Sequence, residues 1–146
     1  MLTARQVCTF YLDKQMYGVD VQSVQEVIRY QEMTEIPLAP DSVVGLINLR
    51  GQIVTAIDLR RRLGLPCRAD TELPMNVVVQ SDDGAISLLV DQIGDVQEID
   101  IDNFESPPET LQGASRRMIR GAYKMKDRLL LILDTERAMN VALLDD

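Results

Sequence analysis

Short apolar runs, alternating or continuous and separated by turn residues, predict a chain built of strands. Val7 to Leu12 alternates, Asp13-Lys14-Gln15 turns, and Met16 to Asp20 returns. Asp20 predicts a cap for a single helical turn through Val24, because its carboxylate can accept from orphan amides there. Val24 to Ile28 is the next strand, and Thr34 to Asp41, holding Pro37 and Pro40, is loop. Val43 to Leu49 is again a strand, with Gly45 predicting a bulge or a close backbone approach. Arg50-Gly51-Gln52 turns the chain into Ile53 to Ile57, whose mostly apolar run implies burial on both faces. Asp58 caps a short helix from Leu59 to Leu63, stopped by Gly64 and Pro66.

The polar stretch from Cys67 to Pro74 is the expected seam between two halves. Beyond it, Met75 to Gln80 and Ile86 to Val90 form a hairpin about the Ser81-Asp82-Asp83-Gly84 turn. Ile93 to Ile99 is a strand, and Asp102 to Gln112, with Pro107-Pro108, is an ordered loop or broken helix. Arg117 to Met125 and Leu129 to Leu133 make a last strand pair, and Asp134 caps a terminal helix through about Val141. Many short strands with turn punctuation predict a mainly-β fold of small barrels rather than an α/β enzyme.

The two halves echo one another. Val21-x-x-Val24-Gln25-Glu26-Val27 recurs as Ile93-x-x-Val96-Gln97-Glu98-Ile99. Leu49-Arg50-Gly51 with Ile53 to Asp58 recurs as Ile119-Arg120-Gly121 with Leu129 to Asp134, so an Arg-Gly turn is expected in both halves. This period is too long, and its copies too few, for a solenoid; it predicts sister subdomains with a cleft between them.

Composition narrows the function. The chain has 146 residues, 46% hydrophobic and 4% aromatic with no tryptophan, so an aliphatic core is expected without metal or disulfide staples. A net charge of −8 argues against nucleic acid and against an anionic membrane face. No stretch is long enough to span a bilayer, so no direct membrane insertion is expected. No export signal is expected, and Cys8 and Cys67 are expected to be reduced cytoplasmic thiols, Cys8 in the core and Cys67 in a loop. The absence of histidine removes Ser-His-Asp and Cys-His catalysis and the commonest zinc and iron ligand sets. No glycine-rich phosphate loop, nucleophile elbow or metal-ligand spacing is present, so no catalytic residue, metal or cofactor is expected.

Acidic residues gather at Asp91, Asp95, Glu98, Asp100, Asp102 and Glu105. The run lacks the glycine and glutamate spacing of a calcium loop and is expected to be a solvated strand edge. Arg60-Arg61-Arg62, between Leu59 and Leu63, is expected to be a solvated helix face. Arg50 stands apart, in the turn Asn48-Leu49-Arg50-Gly51 between two apolar strands. Glu26, set among apolar residues, is its natural counter-charge, in a pair either structural or presented to a partner.

The blocks Val44-Gly45-Leu46-Ile47-Asn48-Leu49-Arg50-Gly51-Gln52-Ile53-Val54 and Ile57-Asp58-Leu59-Arg60 strongly resemble the signature of CheW-type coupling proteins of bacterial chemotaxis. Tyr17 to Asp20 with Val24 to Val27, Leu89 to Val96, and Arg128 to Asp134 resemble its other blocks, so the likeness spans about residues 6 to 141. Thr55 stands where the family often has proline and Ser87 where it often has glycine. No receiver domain is expected after Asp146, so the coupling-receiver fusion variety is not the expected form.

The resemblance implies a single CheW-like domain over 1–146, made of two packed, five-stranded, SH3-like barrels. The expected subdomains are 14–70 and 71–134, with the N-terminal strand and C-terminal helix packing across. It implies a non-enzymatic cytoplasmic adaptor, monomeric when free and brought to the inner membrane face by receptors. Its partners would be the regulatory domain of a CheA-type histidine kinase and the helical hairpin tip of a chemoreceptor. Arg50, Glu26 and Asn48 would bear on partner binding, and Val24, Ile28, Val90 and Val96 would line a groove for the receptor. Two alternatives stand beside this: a paralogue serving another receptor–kinase pathway, such as surface sensing or cyclic-dinucleotide control, and a small-ligand protein using the cleft between barrels. A homo-oligomer built on strand edges is a third.

Overall fold

A computed structural model describes residues 4–81 and 84–140. Ten strands run in chain order: β1 (Ala4–Leu12), β2 (Gln15–Asp20), β3 (Val24–Ile28), β4 (Val43–Leu49), β5 (Gln52–Asp58), β6 (Met75–Ser81), β7 (Gly84–Val90), β8 (Gln92–Asp100), β9 (Ile119–Lys124) and β10 (Leu129–Leu133). Three short helices join them, α1 (Leu59–Arg62), α2 (Gly113–Met118) and α3 (Thr135–Met139). The mainly-β expectation holds. No helix among the described residues is long and apolar enough to cross a membrane.

Local signals explain most boundaries. Asp58 accepts from the Arg60 amide at 3.1 Å and Asp134 from the Arg137 amide at 3.1 Å, so each begins the helix expected of it. Asp20 accepts from the Gln22 amide at 3.0 Å, opening the single 3-10 turn Val21–Ser23. Asp100 does the same for Ile101–Asn103. The Asp82-Asp83 turn and Val141 lie outside the described residues. Arg117 and Met118, expected in a strand, instead end α2, and β9 begins at Ile119.

The strands form two five-stranded sheets, ordered β8-β1-β2-β10-β9 and β3-β6-β7-β5-β4. This corrects the expected division at 14–70 and 71–134. The hairpin β1–β2 belongs with β8, β9 and β10, while β6–β7 belongs with β3, β4 and β5. Each half thus lends its leading hairpin to the other half's sheet, through the parallel pairs β2–β10 and β5–β7. Chain geometry compels part of this exchange: only Asp91 separates β7 from β8, too little for a hairpin turn. The chain therefore passes straight from one sheet into the other.

Both sheets curl so that their opposite edges meet. The chain leaving β3 pairs Thr34 with Leu46 of β4, and the chain leaving β8 pairs Glu105 with Ala122 of β9. Beside each bridge stands a glycine whose missing Cβ makes the approach possible. A Cβ on Gly45 would lie 2.6 Å from the Thr34 carbonyl oxygen, and one on Gly121 would lie 2.4 Å from that of Glu105. The repeat is therefore real, but its Arg-Gly match is corrected: Arg120-Gly121 lies inside β9, not in a turn. Gly121 is the counterpart of Gly45 rather than of Gly51.

Three apolar clusters hold the fold together. One lies within the β3–β7 sheet around Ile47, Val54, Val78 and Leu89, and another within the other sheet around Val7, Ile99, Tyr123 and Leu130. The largest lies between the sheets and draws Phe10, Tyr17 and Leu131 from one and Ile57, Val77 and Leu88 from the other. Neighbouring residues thus serve different clusters: Val78 faces its own sheet's core, while Val77 and Val79 face the shared one. Continuous apolar runs such as Val77-Val78-Val79 follow from this burial on both faces.

Candidate partner-binding site

The turn between β4 and β5 has two central residues, Arg50 at φ 51° and Gly51 at φ 87°. Positive φ at both positions is what a primed two-residue hairpin turn requires, since its twist matches that of the strands. Glycine adopts this backbone freely, but a side chain there costs about 1–2 kcal/mol. The Asn48 Oδ1 accepts from the Gly51 amide at 3.0 Å and holds the turn. Arg50, on strained backbone, is nevertheless presented to solvent, with 74% of its side chain exposed. Its guanidinium donates to Glu26 of β3, whose side chain is only 19% exposed.

Along β3, Val24, Glu26 and Ile28 share the half-buried face, and Gln25 and Val27 face outward. Glu26 is therefore held by packed neighbours, and Arg50 is the exposed partner of the pair. In the other sheet the matching glutamate, Glu98 of β8, has no ion pair among the described residues. The pairing of Arg50 with Glu26 is thus specific to one half and is not inherited from the repeat.

The structure brings Asn48, Arg50 and Glu26 together and separates the expected groove residues. Val24 packs against the shared core and Ile28 against the core of its own sheet. Val96 is exposed on the edge strand β8 of the other sheet. Val90 is fully buried in the shared core, so it cannot line an open groove. Apolar residues on both faces of β7 close the space between sheets where a cleft was expected. Sequence reasoning also missed Ile53, opposite Asn48 at the hairpin tip and 59% exposed. Its signal is its register: Ile53 and Ile57 share a face, but at the tip no second sheet covers it.

A second missed feature lies where the chain crosses between sheets. Asp91 accepts from the Arg60 Nε at 2.9 Å, from the Arg68 Nε at 3.0 Å and from the Asp13 amide at 2.9 Å. Its own amide donates to the Tyr11 carbonyl at 3.0 Å. Burial pushes the Asp91 carboxyl up, but the donors from Arg60, Asp13 and Arg68 outweigh it and hold the group below the usual carboxylate range. Arg60 and Arg62 are buried, which corrects the expected solvated arginine face; only Arg61 is exposed. Arg62 donates to the carbonyls of Ala138, Arg137 and Asn140 at 2.6–3.0 Å, satisfying the end of α3. Asp91 is likewise drawn from the acidic run that was expected to be solvated, whereas Asp95, Glu98, Asp100, Asp102 and Glu105 are exposed. Among the described residues, no group of three or more Cys, Asp or Glu side chains could hold a metal ion.

The family model described as the CheW-like domain matches residues 6–142. The chain belongs to the CheW-like domain family. A CheW chemotaxis protein of Treponema pallidum is 29% identical over 136 residues, covering 90% of this chain and 80% of that protein. One of Bacillus subtilis is 29% identical over 138 residues, covering 94% and 88%. Among solved structures, the CheW scaffolding protein of Thermoanaerobacter tengcongensis superposes with a TM-score of 0.79 at 31% identity, covering 89% of this chain and 88% of that one. The CheW fold thus accounts for both sheets, and Arg50 and Glu26 lie inside the matched region.

Proposed function

We propose that this protein is a non-enzymatic adaptor that couples chemoreceptor cytoplasmic tips to a CheA-type histidine kinase in a signalling array. The reading rests on membership in the CheW-like family together with one local observation. Arg50 is held on strained backbone, largely exposed, with its charge aimed by a packed Glu26. Strain retained at an exposed charge contributes little to stability and serves presentation. Asn48 fixes the turn, and Ile53 and Val27 add exposed apolar surface beside the charges, an arrangement suited to a protein partner. Val24 and Ile28 act by supporting Glu26 from below, and Val96 belongs to a separate surface. The adaptor works from the cytoplasm and reaches the membrane through its receptors.

The test is co-sedimentation of the purified protein with receptor-bearing membranes, with and without kinase. Recruitment of kinase that depends on this protein and is lost with Arg50→Glu supports the reading. Absence of binding to either component overturns it. Binding only to a receptor and kinase of another pathway would keep the adaptor and reassign its output.

A further inference from the structure

The β8-β1-β2-β10-β9 sheet holds a cavity of about 270 Å³ at one end, small beside typical ligand pockets. Val7, Ile99 and Ile132 give it an apolar wall, and Arg5, Asp20 and Arg120 stand at its rim. Phe104 and Tyr123 form an aromatic side, their rings 5.2 Å apart and tilted by 52°. Phe104 is 42% exposed yet firmly placed, because Glu105 is paired to Ala122 and Gly121 lets the segment lie directly on β9.

The polar groups here are unequally satisfied. Asp20 already accepts from the Gln22 amide and lies 3.8 Å from Arg5, and Asp100 accepts from the Asp102 amide. Among the described residues, the exposed Arg120 makes no ion pair, and the Tyr123 hydroxyl, which opens to solvent on the cavity side, has no protein hydrogen-bond partner. A guanidinium and a phenol O–H bonded only to solvent, set beside an apolar wall, are free to donate to an acceptor attached to an apolar body. Burial raises the Tyr123 phenol, so it remains a donor at neutral pH.

We propose that this cavity binds a small carboxylic acid carried on a ring-sized apolar body. The carboxylate takes the Arg120 guanidinium and the Tyr123 hydroxyl, and the apolar body lies against Val7, Ile99 and Phe104. This site is distinct from the Arg50–Glu26 surface, which belongs to the other sheet.

The probe is benzoate, titrated into the protein and followed by amide NMR, with neutral benzamide as the isosteric control. The expected result is saturable shifts at Ile99, Arg120, Tyr123 and Ile132, with benzamide weaker by about tenfold or more, the loss expected for a charge-assisted contact. Arg120→Gln and Tyr123→Phe should each weaken benzoate by about tenfold while leaving the spectrum folded, since one side chain is exposed and the other keeps its ring. Equal response to benzamide, shifts away from the cavity, an unchanged affinity in Arg120→Gln, or no saturable shifts would each overturn the assignment. Receptor and kinase are absent from the assay, so its failure leaves the adaptor reading untouched.

Discussion

Arg50 and Glu26 pair across the two opposite edges of one sheet, for Arg50 sits on the turn beside β4 and Glu26 on β3. Curling alone brings these edges together, since the strands stand first and last in the sheet order. The pair is exposed on the arginine side, so it contributes at most about 1 kcal/mol to stability.

Replacing Arg50 should therefore separate folding from function. Arg50→Gly removes the ion pair but also relieves the positive-φ strain, leaving stability within about 1 kcal/mol of the parent. Urea unfolding should show this unchanged midpoint, while kinase recruitment is lost. A fall of more than about 2 kcal/mol with loss of cooperativity would make the pair structural.

Asp91 should behave in the opposite way. Asp91→Ala leaves Arg60 and Arg68 facing each other without their shared carboxylate, at a predicted loss of about 3 kcal/mol in chemical denaturation. An effect below about 1 kcal/mol would show the site to be effectively solvated.

The same carboxylate gives a pH dependence whose sign follows from its lowered folded value. Between the folded and unfolded pKa values the unfolded chain binds more protons, so stability rises with pH there. The contribution is full above the unfolded value of about 3.9 and is lost as pH falls through the lower folded one. Asp91→Asn should flatten this acid limb in melts taken between about pH 2 and 5; an unchanged limb would remove Asp91 as its source.

The closure glycines should tolerate no side chain. Gly45→Ala places a Cβ against the Thr34 carbonyl and Gly121→Ala against the Glu105 carbonyl and the Phe104 ring. Each is expected to lose about 1–3 kcal/mol in thermal unfolding. Hydrogen exchange should rise at Thr34 and Leu46 in the first variant and at Glu105 and Ala122 in the second. Equal stability with unchanged exchange would mean that the bridges are dispensable.

What could be learned from the sequence was what neighbouring residues decide. Strand periods, the Asp58 and Asp134 caps and the Arg50-Gly51 turn depend on a few adjacent positions, and apart from Arg117 and Met118, which end α2, each is found where its pattern places it. The pairing of Glu26 with Arg50 was legible too, because an isolated charge among apolar residues needs a nearby partner. Tertiary structure alone decided the rest. The exchange of hairpins follows from Asp91 carrying the chain directly between sheets, which no strand period encodes. Arg60 is buried because a carboxylate 31 positions away meets it, and Arg62 because carbonyls more than 70 positions away need donors. Val90 looks like any apolar strand residue, and only the sheet packed against it determines that it fills a core instead of lining a groove. Burial of a side chain depends on what stands opposite it, and that is set by the pairing of distant strands, not by the residues beside it in the chain.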